Sequence, residues 1–216
     1  MLKAICLGRI NYEINLIVDK IPEPGTSTEF FEKGGNIGGS AAVMSYCLAK
    51  WGLGVAFSGV IGNDANGTRI KKILEGVHID TRYIEPTYDN DTSISTVLID
   101  KSTLQNTIFN ISDKYVGVKK CDIDFSPDII VIDGYDVVAD KLLLDRFPKC
   151  LSVLDASIIT SSVADLLRKV NYAICSLEFA ESVAGIKVDF QDPSTLVAIY
   201  QRLKKKYINT LTLFSM

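Results

Sequence analysis

Short apolar runs recur along this chain, and they limit its fold more than any other feature. The runs are too short for helices, and most close at a glycine or a polar residue, as buried strands of a parallel sheet do. Helical patterns lie between several of them, such as the apolar spacing of Ile70, Leu74 and Val77. Strands that alternate with helices predict an α/β fold with a mainly parallel central sheet and helices on both faces. The predicted strands are residues 3–8, 55–61, 128–133, 152–155, 172–175 and 208–213.

Further strand-like segments do not fit this alternation, namely residues 14–18, 27–33, 93–100 and 105–111. Their polar and apolar residues alternate in places, as in strands with one solvated face. We therefore predict a small separate β-sheet, a lid contributed by about residues 14–33 and 93–111, on one α/β domain spanning residues 1–216. Exposed sheet edges need cover, which makes a homodimer through the lid an expectation.

Composition argues against several classes of partner. The formal net charge of −3 disfavours nucleic acid and anionic membranes and favours a small molecule. No apolar run reaches the ~18–20 residues of a membrane span, and the first ten residues do not resemble a signal peptide. The five cysteines form no C-x-x-C pair, so we expect reduced thiols in a cytoplasmic protein. With one histidine and no Cys/His cluster, we expect no metal site held by the protein.

The most unusual local sequence is Gly34-Gly35-Asn36-Ile37-Gly38-Gly39-Ser40-Ala41-Ala42. It connects the strand-like segment 27–33 to a helix of small residues that runs to about Trp51. Glycine lets backbone or ligand approach closely, and glycines that open a helix leave free N–H groups suited to anions and polar ligands. A flexible turn followed by a tightly packed helix explains the local pattern equally well.

A second polar motif, Asn11 and Glu13, follows the first predicted strand. Ligands of open α/β sheets bind beyond the carboxyl ends of the strands, where these residues are expected. An amide that donates and accepts, beside a carboxylate that accepts twice, suits the hydroxyl groups of a polyol. A turn stabilised by asparagine is the alternative.

Together these motifs resemble the ribokinase-like (PfkB) carbohydrate kinases over nearly the whole chain. The family signature joins a Gly-Gly pair, a helix of small residues, Leu/Trp-Gly, a strand and Gly-x-Asp-x-x-Gly. Here Gly34-Gly35, Trp51-Gly52 and Gly62-Asn63-Asp64-Ala65-Asn66-Gly67 take these places. Members transfer the γ-phosphate of ATP to a hydroxyl of a sugar or nucleoside. The resemblance implies a three-layer ribokinase-like α/β/α fold with a β lid, and ATP with Mg²⁺ carried on its phosphates.

The resemblance also suggests which residues bind the acceptor. Gly8-x-x-Asn11-x-Glu13 is similar to the family's Gly-x-x-Asn-x-Asp, with glutamate in place of aspartate. The asparagine that usually stands four residues after the glycine pair is Gly39 here, which puts one polar contact in doubt. The candidates for substrate binding are Asn11, Glu13, Gly34, Gly35, Asn36 and Gly39.

On the nucleotide side, Ser176-Leu177-Glu178-Phe179-Ala180 resembles a Ser-Glu-Glu-Phe-Ala variant found near the phosphates and Mg²⁺ in relatives. Ser176 and Glu178 are therefore candidates, although Glu178 also suits an ordinary acid in the first turn of a helix. The family's later Gly-Ala-Gly-Asp segment, which supplies backbone donors and the general base, has no counterpart in residues 1–216. We therefore assign no catalytic residue, and expect a fragment, a truncated product or a degenerate relative with little activity alone.

Other functions remain open. The chain is also consistent with a non-catalytic sugar-binding or interaction module, and the lid fits a nucleoside kinase of the same superfamily as well as a sugar kinase. A Rossmann dehydrogenase is disfavoured because no G-x-G-x-x-G follows the first strand.

Overall fold

Strands and helices alternate along most of the chain. The computed structural model describes residues 2–111, 116–119, 121–207 and 211–215. In chain order the elements are β1 (Lys3–Leu7), β2 (Asn11–Val18), β3 (Phe31–Gly38), α1 (Ser40–Lys50), β4 (Gly54–Gly62), α2 (Ala65–Glu75), β5 (Ile84–Thr87), β6 (Ile94–Asp100), β7 (Asn106–Ile111), β8 (Ile129–Ile132), α3 (Val137–Arg146), β9 (Leu151–Ala156), α4 (Ser161–Leu166), β10 (Tyr172–Ser176), α5 (Leu177–Ala184), α6 (Ser194–Lys206) and β11 (Leu211–Ser215).

The central sheet has seven strands in the order β11-β10-β9-β8-β1-β4-β5, and every neighbouring pair is parallel. Its middle strand, β1, is fully buried from residue 4 to residue 7. A strand covered on both faces must be apolar throughout, which is why the sequence of β1 is a continuous apolar run. The sheet confirms the predicted parallel α/β fold. Of the last predicted strand, residues 208–210 lie outside the described part of the chain.

Helices cover both faces of the central sheet. Ala4 and Cys6 of β1 pack in one core with residues of α1 and α2. Ile5 and Leu7 point the other way and pack in a second core with residues of α3, α4, α5 and α6. Alternate side chains of one strand therefore enter two separate cores, as the pleat of a β-strand requires. The result is the three-layer arrangement expected from the alternation of strands and helices.

The remaining four strands form a small mixed sheet in the order β3-β2-β6-β7. Strands β2 and β6 are parallel, and the other two pairs are antiparallel. β2 begins at Asn11 and β3 ends at Gly38, so both strands extend nearer to the central sheet than the segments 14–18 and 27–33 that the sequence predicts. Only three residues separate β1 from β2, and this short connection sets the small sheet beside the carboxyl edge of the central sheet.

The expectation that the glycine stretch opens a helix is wrong for residues 34–38, which belong to β3. They pair with β2, where Gly38 lies opposite Asn11 and Gly35 opposite Ile14. Only Gly39 stands at the start of α1, with a φ of 93°. The glycines thus serve close contact between two strands more than the start of a helix.

Candidate functional site

The candidate residues lie along one edge of the central sheet. Asn11 and Glu13 follow the carboxyl end of β1, and Ser176 is the last residue of β10. β9 and β8 separate β10 from β1, so three strand spacings of ~4.8 Å put about 14 Å between the carboxyl ends of β1 and β10. Ligands of open α/β sheets bind at this edge.

A hydrogen-bonded line of three side chains runs across the small sheet. Asn11 Nδ2 donates to Ser95 Oγ at 2.6 Å, and Ser95 Oγ donates to Glu13 Oε2 at 3.5 Å. Asn11 is 5% exposed and Ser95 is 2% exposed, whereas Glu13 is only partly buried. The two buried groups therefore orient the more accessible carboxylate. Ser95 was not a sequence candidate, and only its pairing with Glu13 in the β2–β6 register reveals it.

Gly38 makes this arrangement possible. A Cβ atom on Gly38 would lie 2.5 Å from Asn11 Nδ2 and 2.9 Å from Glu13 Oε2. Neither distance leaves room for a methyl group, so a side chain at this position would displace the asparagine or the carboxylate. The glycine of β3 thus has a steric role at the site.

The other glycine candidates have different roles. The Tyr12 hydroxyl occupies the space that a Cβ on Gly35 would need. Gly34 has open space around it but a φ of 89°, a backbone conformation that favours glycine. Asn36, one residue beyond the pair, is exposed. Gly34 and Gly35 have no side chain, so among these three residues only Asn36 has a side chain that can contact a ligand.

An open cavity of about 300 Å³ lies between the small sheet and the helices α1 and α2. Glu13 and Asn36 give it a polar side. The rest of the lining is mainly apolar, from Ile37, Val43, Tyr46 and Ile73. A site with a few polar groups against an apolar wall, at the lower end of the usual ~300–1,000 Å³ range for ligand pockets, suits a compact polyol.

Gly39 cannot be replaced by the family's usual asparagine without a change of backbone. Its φ of 93° is left-handed, and a Cβ atom there would collide with the Arg9 carbonyl oxygen. The backbone at this position therefore favours glycine, and Gly39 offers no polar side chain to a ligand.

Asp133 was not a sequence candidate, yet it joins three segments of this edge. Its carboxylate accepts hydrogen bonds from the backbone N–H groups of Arg9 at 2.9 Å, Tyr135 at 3.1 Å and Ala41 at 3.4 Å. The side chain is 1% exposed. Burial raises the pKa of Asp133 to about 7, although the three N–H donors favour its charged form. A carboxylate closing an apolar run was the sequence signal that could have identified it.

Asp64 connects the start of α2 to the segment just before β6 of the small sheet. It caps the helix, with Oδ1 accepting from the Gly67 N–H at 2.7 Å. Its carboxylate also accepts from the Thr92 N–H at 2.6 Å and from the Thr92 hydroxyl at 2.9 Å, two residues before β6. Partial burial acts to raise the pKa of Asp64, but these hydrogen bonds outweigh it and hold the pKa below its usual value.

Ser176 and Glu178 both stand at the start of α5. Ser176 Oγ accepts from the Phe179 N–H at 3.2 Å and caps the helix, while Glu178 is exposed in the first turn. The described residues hold no group of three or more His, Cys, Asp or Glu side chains placed to bind a metal ion. No helix of the described ranges has the length and apolar character to cross a membrane.

Comparison with known proteins places this geometry in a family. The profile described as "pfkB family carbohydrate kinase" matches residues 1–215. The chain belongs to the PfkB family. PfkB kinases are ATP-dependent phosphotransferases, which agrees with a candidate acceptor pocket and a helix N-terminus at one sheet edge.

Two curated relatives in the PfkB superfamily match about half of the chain. The ATP-dependent ribose-1-phosphate kinase of Halopiger xanaduensis is 26% identical over 100 residues, which are 46% of this chain and 34% of the relative. The nucleoside kinase of Methanothermobacter thermautotrophicus is 26% identical over 105 residues, 49% of this chain and 34% of the relative. These alignments span about a third of the length of each relative.

Solved structures show the same fold. A putative ribokinase from Agrobacterium tumefaciens aligns with a TM-score of 0.78 at 18% identity, over 100% of this chain and 70% of that one. Ribokinase from Giardia lamblia gives 0.79 at 14% identity, over 100% and 69%. Arabidopsis thaliana ribokinase, solved with ribose and ATP, gives 0.70 at 18% identity, over 99% and 72%. At these identities the likeness establishes the ribokinase-like fold of the PfkB family.

Proposed function

We propose that this chain binds the acceptor of an ATP-dependent phosphoryl transfer, a sugar or nucleoside hydroxyl, in the cavity beside Glu13. The observation that carries this proposal is the Asn11–Ser95–Glu13 hydrogen-bonded line, which aims a carboxylate at the cavity. Glu13 accepts hydrogen bonds from two acceptor hydroxyls, as a carboxylate can. Asn11 is buried and engaged with Ser95, so it acts mainly by holding Glu13 in place.

The acceptor is proposed to contain a ribose ring. One matched relative is named for ribose 1-phosphate and the other for nucleosides, and a five-membered sugar ring is common to both. A nucleoside kinase therefore remains as good an assignment as a sugar kinase. The small sheet would then cover the ring as a lid, with Asn36 at its side.

ATP is proposed to approach from the side of α5. The Ser176 and Glu178 segment begins this helix, whose free N–H groups suit phosphate oxygens. Mg²⁺ is expected on the ATP phosphates and would neutralise charge on them during transfer. In that transfer the acceptor oxygen bonds to the γ-phosphorus, the bond to the β–γ bridging oxygen breaks, and the hydroxyl proton passes to a base. No Gly-Ala-Gly-Asp segment occurs in residues 1–216, so the base is not assigned and a non-catalytic binding module remains the alternative function.

The small sheet is also proposed to pair with a second copy of the chain. β3 and β7 are its edge strands, and Ile108 and Phe109 of β7 are 52% and 57% exposed. An exposed edge strand that carries large apolar side chains favours association. Light scattering at rising protein concentration should reveal a dimer, and a Phe109→Lys substitution should keep the chain monomeric. A constant monomer mass over that range would contradict the dimer alone.

The acceptor proposal is tested by calorimetric titration with ribose, other pentoses, hexoses and nucleosides. Glu13→Gln keeps the size of the side chain and removes its charge, so affinity for the best ligand should fall about tenfold or more. Glu29→Gln makes the same chemical change at an exposed residue outside the site and should leave affinity unchanged. Equal affinities in the wild type and Glu13→Gln would overturn the assignment.

A further inference from the structure

Arg9 occupies the carboxyl edge of the central sheet between the two candidate binding regions. It directly follows Gly8, at the end of β1, and its backbone N–H is held by Asp133 at 2.9 Å. Its side chain turns toward the end of β8, where the guanidinium carbon lies 5.1 Å from the centre of the Tyr135 ring. The Arg9 side chain therefore extends from the end of β1 toward the end of β8, on the side of the sheet where β10 and Ser176 lie.

Tyr135 fixes the direction of the guanidinium group. Arg9 Nη1 donates to the Tyr135 hydroxyl at 3.1 Å, in addition to the contact with the ring. Stacking and a hydrogen bond together hold a planar guanidinium in one orientation, which lowers the entropy lost when it binds a ligand. The pair is thus organised before any ligand arrives.

The charge of Arg9 is not matched by a carboxylate side chain. None of the ion pairs among the described residues includes it, and its buried Nε has no hydrogen-bond acceptor. Arg82, by contrast, pairs with Asp80 at 2.8 Å. The carboxylate of Asp133 accepts from the backbone N–H of Arg9, not from its guanidinium, and is itself buried. A half-buried guanidinium without a carboxylate partner, at a ligand-binding edge, is suited to an anionic ligand.

We propose that Arg9, oriented by Tyr135, binds a phosphoryl group above the junction of β1 and β8. This inference rests on the proposed function, because it places the phosphoryl group between the acceptor pocket and the start of α5. Guanidinium and phosphate match in a two-point geometry that an ammonium group cannot reproduce. The phosphoryl group is either the γ-phosphate of the nucleotide or a phosphate ester on the acceptor, and both present the same chemistry to Arg9.

Binding measurements on the whole chain distinguish these two sources. The first arm compares a non-hydrolysable ATP analogue with ADP, which differ by the γ-phosphoryl group. The second compares ribose 5-phosphate with ribose, and a third uses inorganic phosphate alone. The variants are Arg9→Gln, Arg9→Lys and, as a matched control, Arg168→Gln, which removes another arginine stacked on a tyrosine, 5.2 Å from the Tyr207 ring.

If the γ-phosphate is the partner, Arg9→Gln lowers the preference for the ATP analogue over ADP about tenfold, and leaves the ratio for ribose 5-phosphate over ribose unchanged. If the acceptor carries the phosphate, the reverse holds. In either case Arg9→Lys loses less affinity than Arg9→Gln, and Arg168→Gln loses none. Because these are ratios within one protein, a general loss of folded material does not imitate them.

The inference is overturned if neither ratio changes in Arg9→Gln, or if the wild type binds none of the phosphorylated probes or inorganic phosphate. Glu13→Gln separates this result from the acceptor proposal, because it should weaken ribose binding without changing the ratio of ATP analogue to ADP. If Glu13→Gln leaves ribose affinity intact while Arg9→Gln lowers a phosphate ratio, the acceptor assignment fails and the phosphoryl role of Arg9 stands.

Discussion

The buried carboxylate of Asp133 accepts a hydrogen bond from the backbone N–H of Arg9, 124 positions earlier in the chain, at 2.9 Å. This bond joins the end of β8 to the connection between β1 and β2. The start of α1 is tied to the same carboxylate through the Ala41 N–H. The geometry of the proposed acceptor pocket therefore depends on a group outside the pocket lining.

Asp133→Asn should flatten the pH dependence of stability. The pKa of Asp133 is raised to about 7 in the folded chain, above its unfolded value of 3.8. The folded state then binds more protons than the unfolded state between these values, so this carboxyl contributes a free energy of unfolding that falls as pH rises from about 4 to 7. Urea titrations measure the free energy of unfolding at pH 5 and pH 7. The difference between the two values should be smaller for Asp133→Asn than for the wild type. An identical difference would contradict the assigned role.

Asp140 should destabilise the fold at neutral pH. It is 0% exposed in the first turn of α3, and its carboxylate oxygens have no hydrogen bond of good geometry. Burial, and then the charges of Asp133 and Asp136, raise its pKa to about 9. As for Asp133, the folded state binds more protons than the unfolded state, so the contribution of Asp140 to the free energy of unfolding falls as pH rises. For Asp140 this fall extends from about pH 4 to pH 9.

Asp140→Leu should therefore stabilise the chain, because it removes a buried carboxyl group whose ionisation is unfavourable. The stabilisation should be larger at pH 8 than at pH 5. Asp145→Leu, at an exposed position of the same helix, is the control; it breaks only the surface ion pair with Lys169 and should change stability by no more than about 1 kcal/mol. Chemical denaturation at both pH values measures the effect. Strong destabilisation by Asp140→Leu at pH 8 would show that the carboxylate has a partner it needs.

Asp64→Ala should cost about 2 kcal/mol or more of unfolding free energy, because it removes a helix cap and the tie to Thr92 together. Thr92→Val keeps the helix cap and removes the hydroxyl, which donates to Asp64 and also accepts from the Gly62 N–H at 3.0 Å; it should cost less than Asp64→Ala. Because the pKa of Asp64 is lowered in the folded chain, its contribution is present above pH 3.8 and is lost as pH falls through the lower, folded pKa. Chemical denaturation of the wild type, Asp64→Ala and Thr92→Val at pH 7 and pH 3 tests the cost of each substitution and its dependence on pH. Equal stability of Asp64→Ala and the wild type at pH 7 would refute both expectations.

Ser95→Ala should weaken acceptor binding although Ser95 does not face the ligand. It leaves Asn11 Nδ2 without its partner and releases the Glu13 carboxylate, at a cost of about 1–3 kcal/mol in stability. We expect a loss of acceptor affinity of roughly tenfold, measured by calorimetry. Ser93→Ala, just before β6, is the control and should bind normally. An unchanged affinity in Ser95→Ala would mean that Glu13 does not need this support.

The fold was predictable because its signals are local. Apolar runs such as that of β1 identify buried strands, and the apolar spacing of Ile70, Leu74 and Val77 identifies the helix α2. The glycine stretch was misassigned in part because glycine suits both a turn and a close strand pair. Only the β2–β3 register, with Gly38 opposite Asn11, distinguishes the two.

The parts of the site that the sequence missed depend on contacts between distant segments. Ser95 acquires its role through pairing with Glu13, 82 positions away. Asp133 and Arg9 acquire theirs because β8 and β1 are neighbours in the sheet. No local pattern encodes which strands become neighbours, whereas Asn11 and Glu13 could be proposed as candidates because both lie within one short motif.

A crystal structure of this chain with the acceptor that binds it best would show directly whether the acceptor lies beside Glu13. We expect the sugar ring in the cavity beside Glu13, with at least one hydroxyl within ~3.2 Å of a Glu13 carboxylate oxygen and with the Ser95 bond to Asn11 intact. A ligand bound elsewhere on the chain, or a Glu13 carboxylate turned away from a sugar in this cavity, would contradict this expectation.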